Sequence, residues 1–434
     1  MTITLVESAL SAPPDAAARL LATLPEDQWF ERKSSRIAAR DLADALIGMA
    51  NADGGIVVVG LRDGNVEGTD GEPAKRNDLM QAGIDHCEPP LRVKQRLLRC
   101  LNSNAREDHL LVIEVEPGEA VYANRRDTVF LRVGDENRRL TFRQRQELLY
   151  DKGQASYEAQ PIEGAEIHDL DMPLVEEYAQ AVGAPDPIRL LRARGLATAE
   201  TLTVAGCLLF ASHPQSFLPE AFVRVLRYRG RERGTGSRQQ LIEDVRVEGP
   251  IPKQLHQAQE LIGQFQPIRR ALVSATGRFG NVPLVPQDVW LEGLVNAAVH
   301  RSYSIAGDHV RIEIFDDRIE IWSPGRFPGL ADLRHPLETT RFARNPRIAR
   351  VCADLRFGQE LGEGIRRMFE EMRAAGLCDP IYRQTSGGVH LRLLAEPIDR
   401  ALDARLSDRA RAVMTAMRES GRLSTGEVAE ALEV

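Results

Sequence analysis

No stretch of about 18 uninterrupted apolar residues occurs in the chain, and its first residues, Met1 to Glu7, lack a basic segment leading into an apolar core. Neither a membrane span nor a signal peptide is therefore expected, and the cytoplasm is the default compartment. Cysteine is sparse. The five residues Cys87, Cys100, Cys207, Cys352 and Cys378 lie far apart with no Cys-x-x-Cys pair, so neither a disulfide framework nor a zinc site is suggested, and they read as reduced, mostly buried thiols. An excess of positive charge is also missing: the formal net charge is −7. That balance disfavours wholesale nucleic-acid binding, but phosphate affinity depends on local clusters, and here the arginines are clustered.

What is present is enough for two or three domains with real cores: 434 residues, 43% of them hydrophobic and 27% charged. The expected fold class is α+β, multi-domain. Between residues 20 and 150, Ala38, Leu42, Ala45, Leu46 and Met49 follow helical spacing, and Asn51 to Gly55 supplies turn formers. Residues 56–60 then read as a buried strand, with further strands over 109–116 and 128–133 and a helix over 141–150.

Within this region three segments recur in order: Phe30-Glu31-Arg32-Lys33-Ser34-Ser35, then residues 50–64 ending Leu61-Arg62-Asp63-Gly64, then Leu131-Arg132-Val133-Gly134. The series resembles the Schlafen-type AlbA domain, whose members bind nucleic acid, either DNA or RNA. The Schlafen branch includes RNA-cleaving proteins that use three acidic residues with a divalent metal. Carried over, the resemblance implies Glu26, Glu31 and Asp63, since clustered carboxylates hold cations that activate water. The alternative is that Glu31 pairs with Arg32, Lys33 or Arg36 and that Asp63 serves a turn. Arg32, Lys33 and Arg36 near the start of the domain, and Arg125, Arg126, Arg138 and Arg139 near its end, are candidate phosphate contacts if the two ends converge.

Residues 151–165 are polar and aperiodic and read as a linker, followed by a connecting α/β region over 166–285. In it, 203–211 and 221–229 read as strands, 251–272 as a long helix broken by Pro267, and 224–238 as the most concentrated basic stretch, facing either solvent or a phosphate.

The segment that organises the rest is Trp290 to Arg301. Glu292, Asn296 and His300 recur every four residues and share one helix face, while Leu291, Leu294, Val295 and Val299 supply most of the other. A carboxylate can polarise a water and a carboxamide oxygen can ligate a hard cation such as Mg²⁺. Downstream, residues 310–314 and 318–322 alternate around Asp316-Asp317 as a hairpin ending in Ser323-Pro324-Gly325. Gly358, Gly362 and Gly364 then precede a helical pattern at Ile365, Met368 and Met372, and Gly387-Gly388 precedes a last strand.

That order, with Asn296 to Tyr303, Phe315 to Ile321, Ser323-Pro324-Gly325 and Arg344-Asn345-Pro346, resembles the GHKL ATPases. More narrowly, it is similar to the divergent GHKL domain found behind AlbA-type domains, and it covers 286–395. The resemblance implies an α/β sandwich with an ATP pocket. In it Glu292 is the general base, Asn296 the Mg²⁺ ligand, and Gly358, Gly362 and Gly364 the phosphate lid; Gly387 and Asn345 approach the same pocket. Where most GHKL proteins have Asp-x-Gly against the adenine amino group, this chain offers Ser323 and Gly325. His300 is extra to that pattern and reads as a histidine satisfied within the fold.

Residues 405–434 resemble the front half of a winged helix-turn-helix. Together these readings imply an ATP-binding regulator that couples nucleotide binding or slow hydrolysis to nucleic-acid engagement, in transcriptional regulation or stress and phage defence, as a homodimer or higher homo-oligomer. The alternatives are a metal-dependent nuclease and a non-catalytic nucleotide-binding assembly module.

Overall fold

The computed structural model describes residues 2–236, 239–273, 278–327, 337, 343–357, 363–385, 387–398, 410 and 414. Gly358, Gly362 and, apart from Ala410 and Met414, the expected winged-helix tail lie outside them. The chain divides into one compact unit over Met1–Ala155 and a second that begins at Ser156.

In the first unit a four-stranded sheet runs in the order Phe30–Lys33, Gly55–Val59, Glu107–Val115, Lys94–Leu101. The first pair is parallel and the others antiparallel. A parallel pair needs a crossover, which the helix Ala39–Asn51 provides. Strand alternation splits the valines: Val57, Val59, Leu111 and Ile113 pack with Leu42, Leu46 and Met49 of that helix. Ile56, Val58, Leu110 and Val112 pack with Val6, Ala18 and Leu21 of the N-terminal helices. The sheet is thus apolar on both faces, which is why 56–59 reads as an unbroken apolar run. At the end of the crossover helix Asn51 donates to the carbonyls of Tyr122 and Phe130, each at 2.8 Å, and accepts from the Tyr122 amide. This ties the helix to the segment leading into the hairpin Phe130–Val133 with Glu136–Arg139.

The second unit is built on a six-stranded sheet in the order Leu241–Val247, Val223–Tyr228, Val310–Ile314, Arg318–Pro324, Gly388–Leu394, Ile381–Gln384. Only Val223–Tyr228 with Val310–Ile314 is parallel. The expected connecting region 166–285 therefore supplies two strands of the sheet that 286–395 completes. Ile312, Ile314, Ile319, Ile321, Leu391 and Leu393 all enter one core, shared with Leu255 and Ile262 of the helix Ile251–Phe265 and with Trp290 and Leu294.

Two expectations are corrected here. Residues 204–210 form a helix, not a strand. A short, wholly apolar run gives no period by which the two can be told apart, and the deciding signal is Thr203, whose hydroxyl accepts from the Gly206 amide at 3.2 Å as a helix N-cap. Gly206 also lets the Leu196 carbonyl approach where a Cβ would stand 1.8 Å from it. The long helix from Ile251 ends at Phe265, and beyond Pro267 the chain forms the hairpin Ile268–Val273 with Arg278–Pro283. All five cysteines are buried. No described helix is long and apolar enough to cross a membrane.

Candidate nucleotide site and nucleic-acid face

The helix Gln287–Val299 carries the residues singled out in the sequence. Gly293 seats it against the sheet: a Cβ there would meet Ile321 Cδ1 at 2.7 Å and Leu391 at 3.0 Å. At its flank the Asn296 amide donates to Glu292 Oε1 at 3.0 Å, and Arg367 Nη2 donates to Glu292 Oε2 at 2.5 Å. Arg367 lies on the helix Gly364–Ala374, whose first residue touches the same carboxylate: a Cβ on Gly364 would stand 1.9 Å from Glu292 Oε1. A side chain at 364 would have to push aside the end of Glu292 and with it the hydrogen bonds from Asn296 and Arg367. Glu292, Asn296 and Gly364 are thus brought together as the sequence pattern implies, and Arg367 joins them unannounced.

The last turn of the helix is closed by side chains from elsewhere. A helix leaves its final carbonyls without intrahelical partners. Here the Ala297 carbonyl accepts from Ser323 Oγ at 2.8 Å, Ala298 from the Tyr303 hydroxyl at 2.8 Å, Val299 from Asn345 Nδ2 at 2.8 Å and His300 from Arg344 Nη1 at 2.6 Å. Asn345 also donates to the Arg301 carbonyl at 2.8 Å and is buried, so both amide hydrogens serve the fold. Ser323 uses its only proton on the helix and keeps its lone pairs. Gly325 sits at φ +102°, where a Cβ would meet Ser302 at 2.6 Å and Arg344 at 2.7 Å, so both conformation and space require glycine. In the Gly-Gly turn it is Gly388 that lacks room, 2.4 Å from the Ser323 carbonyl, whereas Gly387 would make only ordinary contact with Trp322.

His300 ends the helix, with Nδ1 buried and without a hydrogen-bond partner. Burial, with the Arg344 charge, lowers its pKa to about 4. A folded pKa below the unfolded value means that, as pH falls below about 6.5, the unfolded chain takes up a proton that the folded chain refuses. The second unit should then lose about 1–2 kcal/mol between pH 7 and pH 5, and His300→Gln should flatten that slope in urea titrations at the two pH values. An unchanged slope would place the imidazole in contact with solvent.

On the opposite face of the sheet, where Glu313 and Glu320 are cross-strand neighbours, lies a cleft of about 190 Å³ lined by Arg233, Arg311, Glu313, Glu320, Trp322 and His390. Burial raises the Glu313 pKa against the pull of Arg233. Burial also opposes ionisation of Glu320, but hydrogen bonds from His390 and Arg318 hold it down at about 2. The basic stretch from Arg224 is largely neutralised on this side: Arg224 pairs with Asp244 at 2.6 Å, Arg227 with Asp316, Arg231 with Asp317 at 3.5 Å and Arg233 with Glu313 at 2.5 Å. It is not an open cationic surface.

In the first unit the three proposed carboxylates have separate duties. Glu26 accepts from the Arg32 amide at 2.9 Å. Glu31, 2% exposed, pairs with Arg132 at 3.0 Å and with Lys33, and accepts from Asn137 at 3.2 Å. Asp63, at φ +49°, is exposed and bonded to its neighbour Arg62. Among the described residues no group of three or more His, Cys, Asp or Glu side chains could hold a metal ion. Arg32 donates to the Ala22 carbonyl and Lys33 is held by Glu31, leaving Arg36 as the exposed cation of the first cluster. The second cluster is gathered. Arg125 and Arg126 are exposed on the turn that opens the hairpin, Arg138 and Arg139 are exposed on its return strand, and Arg139 faces Phe130 in register.

Two family models match these regions. Residues 26–141 match "Schlafen, AlbA_2", and residues 307–393 match "Putative ATP-dependent DNA helicase recG C-terminal". The chain thus combines a Schlafen-type AlbA domain with a C-terminal ATPase-like domain of the recG type, and Glu292 and Asn296 precede the second match. Among solved structures it is similar to the crystal structure of the DIP2311 protein from Corynebacterium diphtheriae, at 20% identity and a TM-score of 0.46, covering 99% of this chain and 89% of that one. No curated protein matches.

Proposed function

We propose that the second unit binds ATP with Mg²⁺ along the Glu292 face of the helix Gln287–Val299, and that the protein is a regulator, a homodimer or higher homo-oligomer, coupling this binding or slow hydrolysis to nucleic-acid engagement by its AlbA-type domain. The observation that carries the reading is the meeting of Glu292, Asn296 and Gly364 at one place. The donor set suits the ligand. Asn296 gives its N–H to Glu292 and keeps its carboxamide oxygen for a hard cation. Ser323 has only acceptor capacity left for an exocyclic amino group. Gly364, without a Cβ, opens a helix start whose backbone N–H groups suit phosphate oxygens. When bound, the cation supplies charge neutralisation on the phosphates. Glu292 then accepts the proton of the attacking water, which requires Oε2 to be released by Arg367.

Thermal unfolding tests the binding. Mg²⁺ with ATP at about 100 times its Kd should stabilise the protein by about 2.7 kcal/mol, with GTP doing less, and Ser323→Ala should erase the difference between the two nucleotides. No shift at millimolar Mg-ATP would remove the proposal.

A further inference from the structure

The helix Phe142–Asp151 begins with an aromatic residue that is 80% exposed. Phe142 is held in that position: Thr141 and Gln144 form a reciprocal capping box, and the Leu140 amide donates to the Val129 carbonyl at 2.9 Å. Arg139 and Arg143 flank it in sequence, and both are exposed. From the next turn of the helix Arg145 reaches Asp127 at 2.7 Å, which brings in the turn that carries Arg125 and Arg126. The Arg125 guanidinium donates to the Asp85 carbonyl at 2.5 Å and keeps its full charge. Of the six arginines at this end of the hairpin, Arg145 is neutralised by Asp127 and Arg138 by Glu136 at 3.2 Å, and the other four have no ion-pair partner among the described residues.

An exposed phenyl ring costs solvation and brings no hydrogen bond of its own, so its value lies in what it stacks with. We infer that Phe142 is a stacking platform for an unpaired base and that Arg125, Arg126, Arg139 and Arg143 take the flanking phosphates, making single-stranded nucleic acid the ligand of this face. The inference rests on the nucleic-acid half of the function proposed above and narrows its substrate class. Duplex bases are already stacked and present only phosphates to such a surface, whereas a single strand can lay a base on the ring. Stacking on a ring without polar atoms is tolerant of sequence.

Fluorescence anisotropy of the full chain with labelled single-stranded RNA, single-stranded DNA and duplex DNA of equal length tests this. Phe142→Ala should weaken single-strand binding by about 5- to 100-fold and leave duplex binding unchanged, while Phe142→Trp should keep the wild-type affinity. Arg139→Ala and Arg143→Ala should weaken every substrate and each reduce the slope of log K against log salt by about one. Because the ring is exposed, the alanine variant should keep the wild-type melting temperature. If wild type binds single strands and Phe142→Ala binds them equally well, or loses duplex affinity to the same extent, the stacking assignment is overturned alone. If Phe142→Ala instead changes the sedimentation coefficient with nucleic-acid affinity unchanged, the ring serves a protein interface and the assignment again falls. Wild type that binds none of the three substrates overturns both the assignment and the nucleic-acid reading beneath it.

Discussion

Replacing Arg132 with methionine should lower the stability of the first unit by about 3–5 kcal/mol, the range found when one member of a buried ion pair is removed. Arg132 is 1% exposed and makes more than a charge pair. Nε and Nη2 donate to the Asp27 carbonyl at 3.0 and 2.8 Å, Nη2 also reaches the Phe30 carbonyl at 3.2 Å, and Nη1 meets Glu31 at 3.0 Å. Methionine fills much of the volume but takes both guanidinium donors from the Asp27 carbonyl, one from the Phe30 carbonyl, and leaves the buried Glu31 carboxylate to Lys33 and Asn137 alone. Hydrogen exchange of the Gly55–Val59 amides, which lie beside Phe30–Lys33, reads the effect. Glu31→Gln combined with Arg132→Met should recover part of the loss, because the buried carboxylate that has lost Arg132 is then replaced by a neutral group. A loss below about 1 kcal/mol would mean that water reaches Glu31 and solvates it.

For the second unit, Glu292→Gln should reduce nucleotide turnover by about 10²- to 10⁴-fold while leaving nucleotide affinity within a small factor. Glutamine is isosteric, but Asn296 and Arg367 now donate to different carboxylate oxygens and its single oxygen can accept from only one of them, so the site keeps its volume, loses the basic oxygen and gives up one of these two hydrogen bonds. The informative quantity is the division between kcat and KM: a fall in kcat alone marks a group used in the transition state, whereas equal loss of binding would make Glu292 a structural partner of Arg367. Arg367→Ala, which frees Oε2, should separate the two roles further, since it removes the ion pair without touching the carboxylate.

Much of this was legible because periodicity is a local property. The alternation at 310–314 and 318–322, the crossover helix after Phe30–Lys33 and the one-faced helix at Glu292 all follow from residues within two turns or one hairpin of each other. Partners distant in sequence left no such trace. Arg367 lies 75 residues from Glu292, and the basic stretch after Arg224 gives no sign that Asp244, Asp316, Asp317 and Glu313 will neutralise it. Of the two arginines that matter most for charge, Arg132 stands between Leu131 and Val133 in a motif segment and Arg367 in an amphipathic helical pattern, and neither position announces the carboxylate it meets. The resemblance assigns Ser323 and Asn345 to the neighbourhood of a ligand; in the fold each ties down the end of the helix that carries Glu292. Asp63 was ambiguous between metal ligand and turn residue, and its positive φ and exposure match the turn.

The four carbonyl ties from Ser323, Tyr303, Asn345 and Arg344 have a mechanical meaning. They come from three points of the chain, Tyr303, Ser323 and the pair Arg344-Asn345, and converge on one helical turn, so the helix that carries Glu292 behaves as a bolted strut: loosening one bolt leaves three. Its counterpart, the helix Gly364–Ala374, meets Glu292 through the contact of Gly364 and, among the described residues, one hydrogen bond, from Arg367. Any adjustment between the two should therefore be taken up on the Gly364 side, and the carboxylate remains the fixed reference against which that helix moves.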